Sequence, residues 1–352
     1  MAEQARIMVL GAGVMGSAMT VPAARHGHDI ALVGTHLDTD IIRMVDQDGH
    51  HPKLKLRLSE QVKAHQMATF GEAMTPAPDL IILGVASAGV DWAIAQLAGA
   101  METPVPILMI TKGMAVRDGT IETLPHKVAR ALKDRLGFTG PVMAVAGPAI
   151  AGEQAASRPT NVVFTGFDDE AVKDAQKALA TEEYHITRSD DVIGIEVCAA
   201  FKNFFALAVG TAAGALEHGP AVNGALMHNA AAGLFTQSVH EMRLLVEALG
   251  GKPDTVGGLA GTGDLYVTCQ AGRNSRMGRL LGLGIPYAEA KAEHMASDTV
   301  EGADLALAVG PTLRAMFADG RLNKDRMPLT RAILDTVCDN ETFGADWSHF
   351  HA

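Results

Sequence analysis

Short aliphatic runs alternate with longer helical patterns through the first half of the chain. Most of these runs lack polar alternation, which is typical of strands buried on both faces of a sheet. Their spacing predicts βαβ units and a doubly wound, mostly parallel sheet. The predicted strands are Arg6–Leu10, Ile30–Gly34, Leu80–Val85, Ile107–Ile110 and Val142–Ala146.

The hydrophobic pattern changes near residues 188–191. Beyond this point, Val192–Leu216 and Leu226–Leu249 are rich in alanine, valine, leucine and phenylalanine, and they predict two long helices. Gly250, Gly251 and Pro253 end the second helix, because glycine tolerates a left-handed cap and proline cannot continue the turn. We therefore expect an all-helical second half.

Length and composition agree with this division. A chain of 352 residues, 48% of them hydrophobic, can bury more than one core. We assign residues 1–189 to an N-terminal α/β domain and residues 190–352 to an all-helical C-terminal domain.

Charge and cysteine content narrow the function classes. The net charge of −11 and the lack of a lysine or arginine run disfavour a nucleic-acid partner. Cys198, Cys269 and Cys338 form neither a disulfide framework nor a zinc pattern, and the fourteen histidines show no spaced ligand set. Neither a basic leader nor an apolar stretch of bilayer length is recognised. We expect a soluble, cytoplasmic protein with no metal site and no membrane partner.

Two further features have structural interpretations. The segment Asp48–Leu58 carries two histidines and several basic residues, and it predicts a solvated loop or helix edge. The two long apolar helices fit a homodimer surface and an internal core equally well, so both alternatives stay open.

A glycine-rich motif stands between the first predicted strand and a helical stretch. Gly11 permits a tight turn, Gly13 lets the backbone approach a pyrophosphate, and Gly16 lets helix and strand pack closely. The intervening Val14 and Met15 begin the helix, whose free amides favour an anion. The motif predicts a Rossmann-type domain that binds a dinucleotide.

The choice between NAD and NADP depends on the end of the second strand. An acidic residue there would bind a ribose hydroxyl, and an arginine would hold a 2′-phosphate. The chain has Thr35 and His36 instead, and Asp38 lies too far along to decide the preference. The cofactor is therefore expected to be NAD or NADP.

Two lysines are candidates for chemistry. Lys112 follows the strand Ile107–Ile110, which places its ammonium at the carboxyl edge of the sheet. Lys202 and Asn203 interrupt an apolar stretch in the middle of a helix. A buried lysine is costly unless it is paired or its pKa is lowered, and that environment suits a general acid/base.

A third polar group follows in the helical half. Asp264 lies in a glycine-rich segment, Thr268 follows it on the same stretch, and Arg273 stands next to Asn274. Arginine and asparagine donors can bind the oxygens of a phosphate monoester. The group therefore favours a small phosphorylated substrate.

Together these residues resemble the NAD(P)-dependent glycerol-3-phosphate dehydrogenases, from the glycine loop almost to the end of the chain. The landmarks occur in the order found in that family. They are Gly11–Gly16, Lys112-Gly113, Gly147-Pro148 with Glu153 and Pro159-Thr160, Phe201-Lys202-Asn203, Gly261–Leu265 with Arg273-Asn274, Val300-Glu301-Gly302, and Met327-Pro328-Leu329.

The resemblance implies an enzyme that interconverts sn-glycerol 3-phosphate and dihydroxyacetone phosphate. In this family Lys202 would exchange a proton with the substrate C2 oxygen, and Lys112 would hold and polarise the substrate. The remaining implied substrate contacts are Ala149, Asn203, Asp264, Thr268, Arg273 and Asn274, with Asp264 also counted as catalytic. The implied cofactor contacts are Gly11, Gly13, Val14, Met15, Gly16, Thr35, His36, Lys112, Arg273 and Glu301.

Three positions depart from the family pattern. Ala149 stands where a serine is usual, and Thr35 stands where an arginine is common. Val14 and Met15 stand where an aromatic residue is common, and in this respect the glycine loop is similar to that of the β-hydroxyacid dehydrogenases. These changes leave the substrate open to a longer phosphorylated polyol or ketose.

Two other classes of function are retained as alternatives. A β-hydroxyacid dehydrogenase or ketopantoate-type reductase would act on a carboxylate substrate, although those enzymes space lysine and asparagine as Lys-x-x-x-Asn, and here the two are adjacent. A non-enzymatic dinucleotide sensor would need none of Lys112, Lys202, Asp264, Arg273 and Asn274.

Overall fold

The computed structural model describes residues 4–218 and 223–350. The chain divides into two compact units. The first contains Met1–Lys112 and Leu124–Val192, and the second contains Gly113–Thr123 and Ile193–Ala352. The segment 113–123 is a hairpin that joins the second unit, which the sequence pattern did not indicate.

The described residues contain twelve strands and fifteen α-helices. The strands are β1 Arg6–Leu10, β2 Asp29–Val33, β3 His50–His51, β4 Leu56–Arg57, β5 Val62–His65, β6 Leu80–Leu83, β7 Ile107–Met109, β8 Met114–Arg117, β9 Thr120–Thr123, β10 Val142–Ala146, β11 Thr160–Gly166 and β12 Tyr184–Ser189. The helices are α1 Val14–Ala18, α2 Thr20–Arg25, α3 Thr39–Asp48, α4 Phe70–Ala73, α5 Val90–Ala100, α6 Leu124–Leu136, α7 Ala151–Ala155, α8 Asp169–Leu179, α9 Val192–His218, α10 His228–Ala248, α11 Asp264–Gln270, α12 Arg273–Gly282, α13 Tyr287–Glu289, α14 Glu301–Ala318 and α15 Pro328–Cys338.

An eight-stranded sheet forms the centre of the first unit, in the order β12-β11-β10-β7-β6-β1-β2-β5. The strands from β10 to β5 are parallel, and Ile7 of β1 pairs with Ile30 of β2 on one side and Leu80 of β6 on the other. Only the β10–β11 pairing is antiparallel among the ladders of this sheet in the described residues. This arrangement confirms the predicted mostly parallel sheet.

The strands predicted from continuous apolar runs are the central ones. Residues of β1, β2, β6, β7 and β10 are buried almost without exception, as expected for strands covered on both faces. The pattern did not identify β5, β11 or β12. Of these, β5 and β12 lie at the edges of the sheet and mix polar and apolar residues. Lys63 of β5 is exposed, and β12 alternates between buried and exposed positions.

The predicted solvated loop at Asp48–Leu58 was only partly correct. Lys53, Lys55 and Arg57 are exposed, as expected. The segment also contains the β3–β4 hairpin, and His51 on this hairpin is completely buried. The basic residues indicated solvent exposure, and the sequence pattern gave no signal that His51 faces inward.

Helices make up the second unit, together with the β8–β9 hairpin, which packs on α14. Within the described residues after Asp190, the all-helical prediction is confirmed. Helix α10 ends at Ala248, and Gly250 follows with φ +89°, the left-handed cap that the sequence indicated.

The core of the second unit is built on α9. Phe201, Phe204 and Phe205 are fully buried, and their rings lie 5.3–6.4 Å apart. Contrary to the sequence expectation, this 27-residue helix is long and apolar enough to cross a bilayer by length and composition. Nearly all of its apolar window is buried inside the protein, as in a core helix.

A buried carboxylate joins α10 to the N-terminus of α15. Glu241 accepts hydrogen bonds from Gln237 Nε2 (2.8 Å), from the backbone nitrogens of Leu329 (2.7 Å) and Thr330 (2.6 Å), and from Thr330 Oγ1 (2.6 Å). Burial raises the pKa of Glu241 to about 7, against the opposing effect of these donors. The carboxylate satisfies amides at the start of α15 that have no partner within the helix.

We predict that Glu241→Gln destabilises the protein by about 1–3 kcal/mol, because the NH₂ of the glutamine would face N–H or O–H groups that now donate hydrogen bonds to the carboxylate. The free energy of unfolding in urea at pH 8 measures this loss. Glu247→Gln is the matched control, since Glu247 is exposed on the same helix and its change should stay within about 0.5 kcal/mol. Equal stability of the two variants would contradict the capping role.

Candidate active site

The loops at one edge of the large sheet carry the predicted residues of the first unit. Because β1, β2, β7 and β10 are parallel, the segments that follow them leave from the same edge, where ligands of open α/β sheets bind. The predicted residues on these segments are Gly11, Gly13, Val14, Met15, Gly16, Thr35, His36, Lys112 and Ala149.

The fold itself explains two of the three motif glycines. Gly11 has φ +112°, and a Cβ there would lie 2.6 Å from the Gly84 carbonyl oxygen. A Cβ at Gly16 would lie 2.1 Å from the Gly11 carbonyl oxygen. Both contacts are too close for any side chain, so the strand and helix need glycine at these positions.

Gly13 has no such explanation within the protein. Its φ of −64° suits any residue, and a Cβ would meet nothing within 4 Å. Neighbouring Val14 is exposed. The open surface at Gly13 fits close approach by a bound group such as a pyrophosphate, which is the role that a dinucleotide loop assigns to this glycine.

The loop after β2 is held by hydrogen bonds to Asp38. Asp38 Oδ2 accepts hydrogen bonds from Thr35 N (2.9 Å) and Thr35 Oγ1 (2.8 Å). Thr35 is therefore engaged within the loop, whereas His36 is exposed and its ring meets Trp92 edge-on at 5.9 Å. The spacing Thr-x-x-Asp was the available signal for this closed loop.

Lys112 and Ala149 lie on neighbouring segments of the same edge. Just before Lys112, the Thr111 hydroxyl donates to the Val85 carbonyl oxygen at 2.7 Å, which fixes the segment after β7 to the one after β6. Ala149 follows β10 and is half-buried against the core.

In the second unit, Lys202 of α9 forms a buried ion pair with Asp264, the first residue of α11. Lys202 Nζ donates to Asp264 Oδ1, and the two residues are 7% and 2% exposed. The predicted burial of Lys202 is confirmed. Because a carboxylate lies against the ammonium, much of the cost of removing both charges from water is offset.

A π-helical turn precedes Asp264 and helps to place it. Residues Leu259–Gly263 form one π-helical turn directly before α11, a feature often found at functional sites. A Cβ at Gly261 would lie 2.2 Å from the Val256 carbonyl oxygen, so the turn requires glycine there. Thr268, one turn along α11, donates its hydroxyl to the Asp264 carbonyl oxygen at 2.7 Å.

The remaining predicted residues of the second unit form a connected polar group. Asn274 Nδ2 donates to Asn203 Oδ1 (3.0 Å), and Asn274 Oδ1 accepts from Gly302 N (2.9 Å). Glu301 accepts from Arg273 Nη2 and, at 3.5 Å, from Asn274 Nδ2. One carboxylate thus contacts both residues that the resemblance assigns to the substrate phosphate.

The sequence pattern did not indicate that the thiol of Cys269 lies close enough to Lys202 for the two to interact electrostatically. Burial raises the pKa of Cys269 to about 12, and the nearby Lys202 charge opposes that rise. Cys269 follows Thr268 on α11, so its distance along the helix from Asp264 was the available signal. No group of three or more histidine, cysteine or acidic residues suited to a metal occurs among the described residues.

We predict that Gly13→Ala weakens NADH or NADPH binding by about tenfold or more while leaving stability unchanged, because the methyl group would fill the open surface without touching the protein. Isothermal titration calorimetry and thermal unfolding measure the two effects. Gly16→Ala is the contrasting variant, since its Cβ would overlap Gly11 and cost about 1–3 kcal/mol of stability. Normal cofactor affinity in Gly13→Ala would exclude close approach at this residue.

Models of one enzyme family match both halves of the chain. The model described as the N-terminus of NAD-dependent glycerol-3-phosphate dehydrogenase matches residues 6–172, and the model of its C-terminus matches residues 191–345.

Similar proteins and structures agree with these matches. The chain is 33% identical to the NADP(+)-dependent glycerol-3-phosphate dehydrogenase of Archaeoglobus fulgidus, over 82% of this chain and 83% of the relative. It is 30% identical to a glycerol-3-phosphate dehydrogenase (NAD(P)+) of Chlamydia pneumoniae, over 94% of this chain and 92% of the relative. The crystal structure of a glycerol-3-phosphate dehydrogenase from Coxiella burnetii superposes with a TM-score of 0.78 and 27% identity, over 97% of both chains.

Proposed function

Because the chain belongs to the NAD-dependent glycerol-3-phosphate dehydrogenase family, we propose that it interconverts sn-glycerol 3-phosphate and dihydroxyacetone phosphate. It is an oxidoreductase that uses NAD or NADP. The observation that carries the proposal is the buried Lys202–Asp264 ion pair, held in the same unit as the Asn203, Arg273 and Asn274 side chains.

The two units have different roles in this proposal. The first unit binds the dinucleotide through the glycine loop, with Thr35 and His36 near the end of β2 and Lys112 at the sheet edge. The second unit supplies the acid/base and phosphate groups. Glu301 is a proposed cofactor contact, and Arg273 is a proposed contact of both the cofactor and the substrate.

Lys202 carries the proton in the proposed reaction. When bound, NADH or NADPH would supply the hydride for the ketone carbon of the substrate. As negative charge develops on the C2 oxygen, Lys202 Nζ gives it a proton, so the alkoxide does not accumulate. In the reverse direction the neutral amine accepts that proton. Asp264 keeps the amine in place before transfer.

Arg273 and Asn274 bind the substrate phosphate in this proposal. Both side chains contact the Glu301 carboxylate, and this shared contact supports the proposal that they bind one anion. A phosphate dianion offers more acceptor oxygens than a carboxylate and is recognised well by the planar guanidinium. Asn203 fixes Asn274, and Thr268 of the second unit is a further proposed substrate contact. In the first unit, Lys112 would hold and polarise the substrate, and Ala149 would contact it.

The charge of the chain bears on its location and its partners. We infer a cytoplasmic enzyme that acts on a small phosphorylated molecule and has no nucleic-acid or membrane partner, in keeping with the net charge of −11. Burial of α9 accounts for its apolar residues without a second copy, and the homodimer alternative is decided by the mass of the protein in solution.

We predict that Lys202→Arg lowers kcat by about 10²–10⁴-fold with unchanged cofactor affinity, because a guanidinium preserves the charge facing Asp264 but does not release a proton near neutral pH. A spectrophotometric assay at 340 nm with NADH and NADPH against dihydroxyacetone phosphate measures turnover. Lys324→Arg, at an exposed lysine, is the control.

The same assay, extended to longer keto-phosphates and to hydroxy acids, separates the alternatives. Near-normal turnover of Lys202→Arg would remove Lys202 from the proton-transfer role. Activity on hydroxy acids alone would favour a β-hydroxyacid dehydrogenase or ketopantoate-type reductase. Cofactor binding with no turnover of any phosphorylated substrate would favour a dinucleotide sensor.

We predict that Arg273→Ala raises the KM for dihydroxyacetone phosphate by about 10–100-fold, which corresponds to the loss of about 1.5–3 kcal/mol for a charge-assisted contact. Unphosphorylated dihydroxyacetone, used at high concentration, should be reduced equally by both proteins at saturating cofactor. Arg243→Ala is the control, since Arg243 pairs with Asp254 on the surface. An unchanged KM would place the phosphate elsewhere.

A further inference from the structure

We propose that His51 and Asp38 are positioning residues that hold the glycine loop in its cofactor-binding shape, and that protonation of His51 releases this hold in acid. The inference rests on the proposed use of the glycine loop for NAD or NADP. Neither residue belongs to the motif, and His51 comes from a segment that the sequence assigned to solvent.

Both peptide groups of Ala12 are held by side chains from outside the loop. Ala12 N donates to Asp38 Oδ2 at 3.2 Å, and the Ala12 carbonyl oxygen accepts from His51 Nε2 at 3.1 Å. Ser17 Oγ also donates to this carbonyl at 3.2 Å. Ala12 stands directly before Gly13, whose open surface is the place for close approach by a ligand.

The hydrogen bonds fix the protonation state of His51. The Leu54 backbone N–H donates to His51 Nδ1 at 3.1 Å, so Nδ1 carries no proton. The proton of the neutral ring is therefore on Nε2, where it is donated to Ala12. Since the side chain is completely buried, both nitrogens depend on these backbone partners.

Acid disrupts this arrangement because a second proton must go to Nδ1, where it would face the Leu54 N–H. Burial lowers the pKa of His51 below its usual 6.5; Lys53 on the same hairpin lowers it further, whereas Asp38 and the Ala12 carbonyl raise it. The neutral ring is stable above pH 6.5. As the pH falls below that value, protonation increasingly favours states in which His51 has left its site.

Asp38 extends the network to a third segment. The oxygen that accepts from Ala12 N also accepts from Thr35 N and Thr35 Oγ1. The glycine loop, the loop after β2 and the β3–β4 hairpin are thus linked through the Ala12 peptide groups. A glycine-rich backbone loses much entropy on ordering, so external restraints that order it in advance favour ligand binding.

The test compares His51→Leu, which removes both hydrogen bonds, with His51→Gln, whose amide can donate to Ala12 as Nε2 does. We expect His51→Leu to raise the Kd and KM for NADH or NADPH about tenfold with kcat within twofold, and His51→Gln to recover most of the affinity. His185→Leu, at an exposed histidine on β12, should behave as wild type.

The pH dependence separates positioning from general stability. For wild type, the cofactor Kd measured by calorimetry should rise several-fold between pH 7 and pH 5.5, whereas for His51→Gln it should change little. Thermal unfolding identifies a variant that has lost its fold, and His51→Gln then carries the test.

Several results would overturn the inference. They are an unchanged cofactor Kd in His51→Leu, an equal loss in both variants, and the same pH profile in His51→Gln and wild type. A wild-type protein that binds NADH but does not reduce dihydroxyacetone phosphate would defeat the proposed function and leave this inference open to the same binding measurements. Absence of dinucleotide binding by wild type would overturn both.

Discussion

The burial of one positive charge in an apolar helix is the constraint on which the second unit depends. Lys202 lies on α9 next to the packed phenylalanine rings, where an unpaired ammonium would be very costly. Asp264 meets this requirement from a position 62 residues away. The turn before α11 must therefore bring the carboxylate to α9, and Gly261 permits the backbone contact that makes the turn. The ion pair therefore matters for both packing and chemistry, because its amine is also the proposed proton carrier.

In the first unit, the corresponding constraint is the ordering of the glycine-loop backbone. A glycine loop is useful because its backbone is accessible, yet accessible glycine-rich backbone is poorly ordered by itself. Asp38 and His51 bind the peptide groups of Ala12, so side chains from two other segments supply the order. Gly13 stays open between these restraints. Binding of a dinucleotide at this loop would then require little reorganisation.

The polar residues of the second unit form one connected group. The Asn203, Asn274 and Gly302 contacts connect three helices, and the carboxylate of Glu301 engages Arg273 and Asn274 together. Asn203 and Asn274 are buried, and such amides are expensive to bury without mutual hydrogen bonds. A structural protein or a simple cofactor sensor gains nothing from placing these donors beside a buried lysine.

Sequence alone determined the features that depend on local pattern. Continuous apolar runs identified the central strands, the glycine spacing identified the strand-turn-helix at Gly11–Gly16, and a lysine within an apolar helix indicated buried charge at Lys202. Only the tertiary structure decided which distant groups meet. The Lys202–Asp264 pair, the capping of α15 by Glu241 and the contacts of Ala12 with Asp38 and His51 join residues that are 26 to 89 positions apart. Hydrophobic periodicity reports whether a residue faces the core, but a hydrogen bond depends on where another element places its donor or acceptor, and that is set by packing.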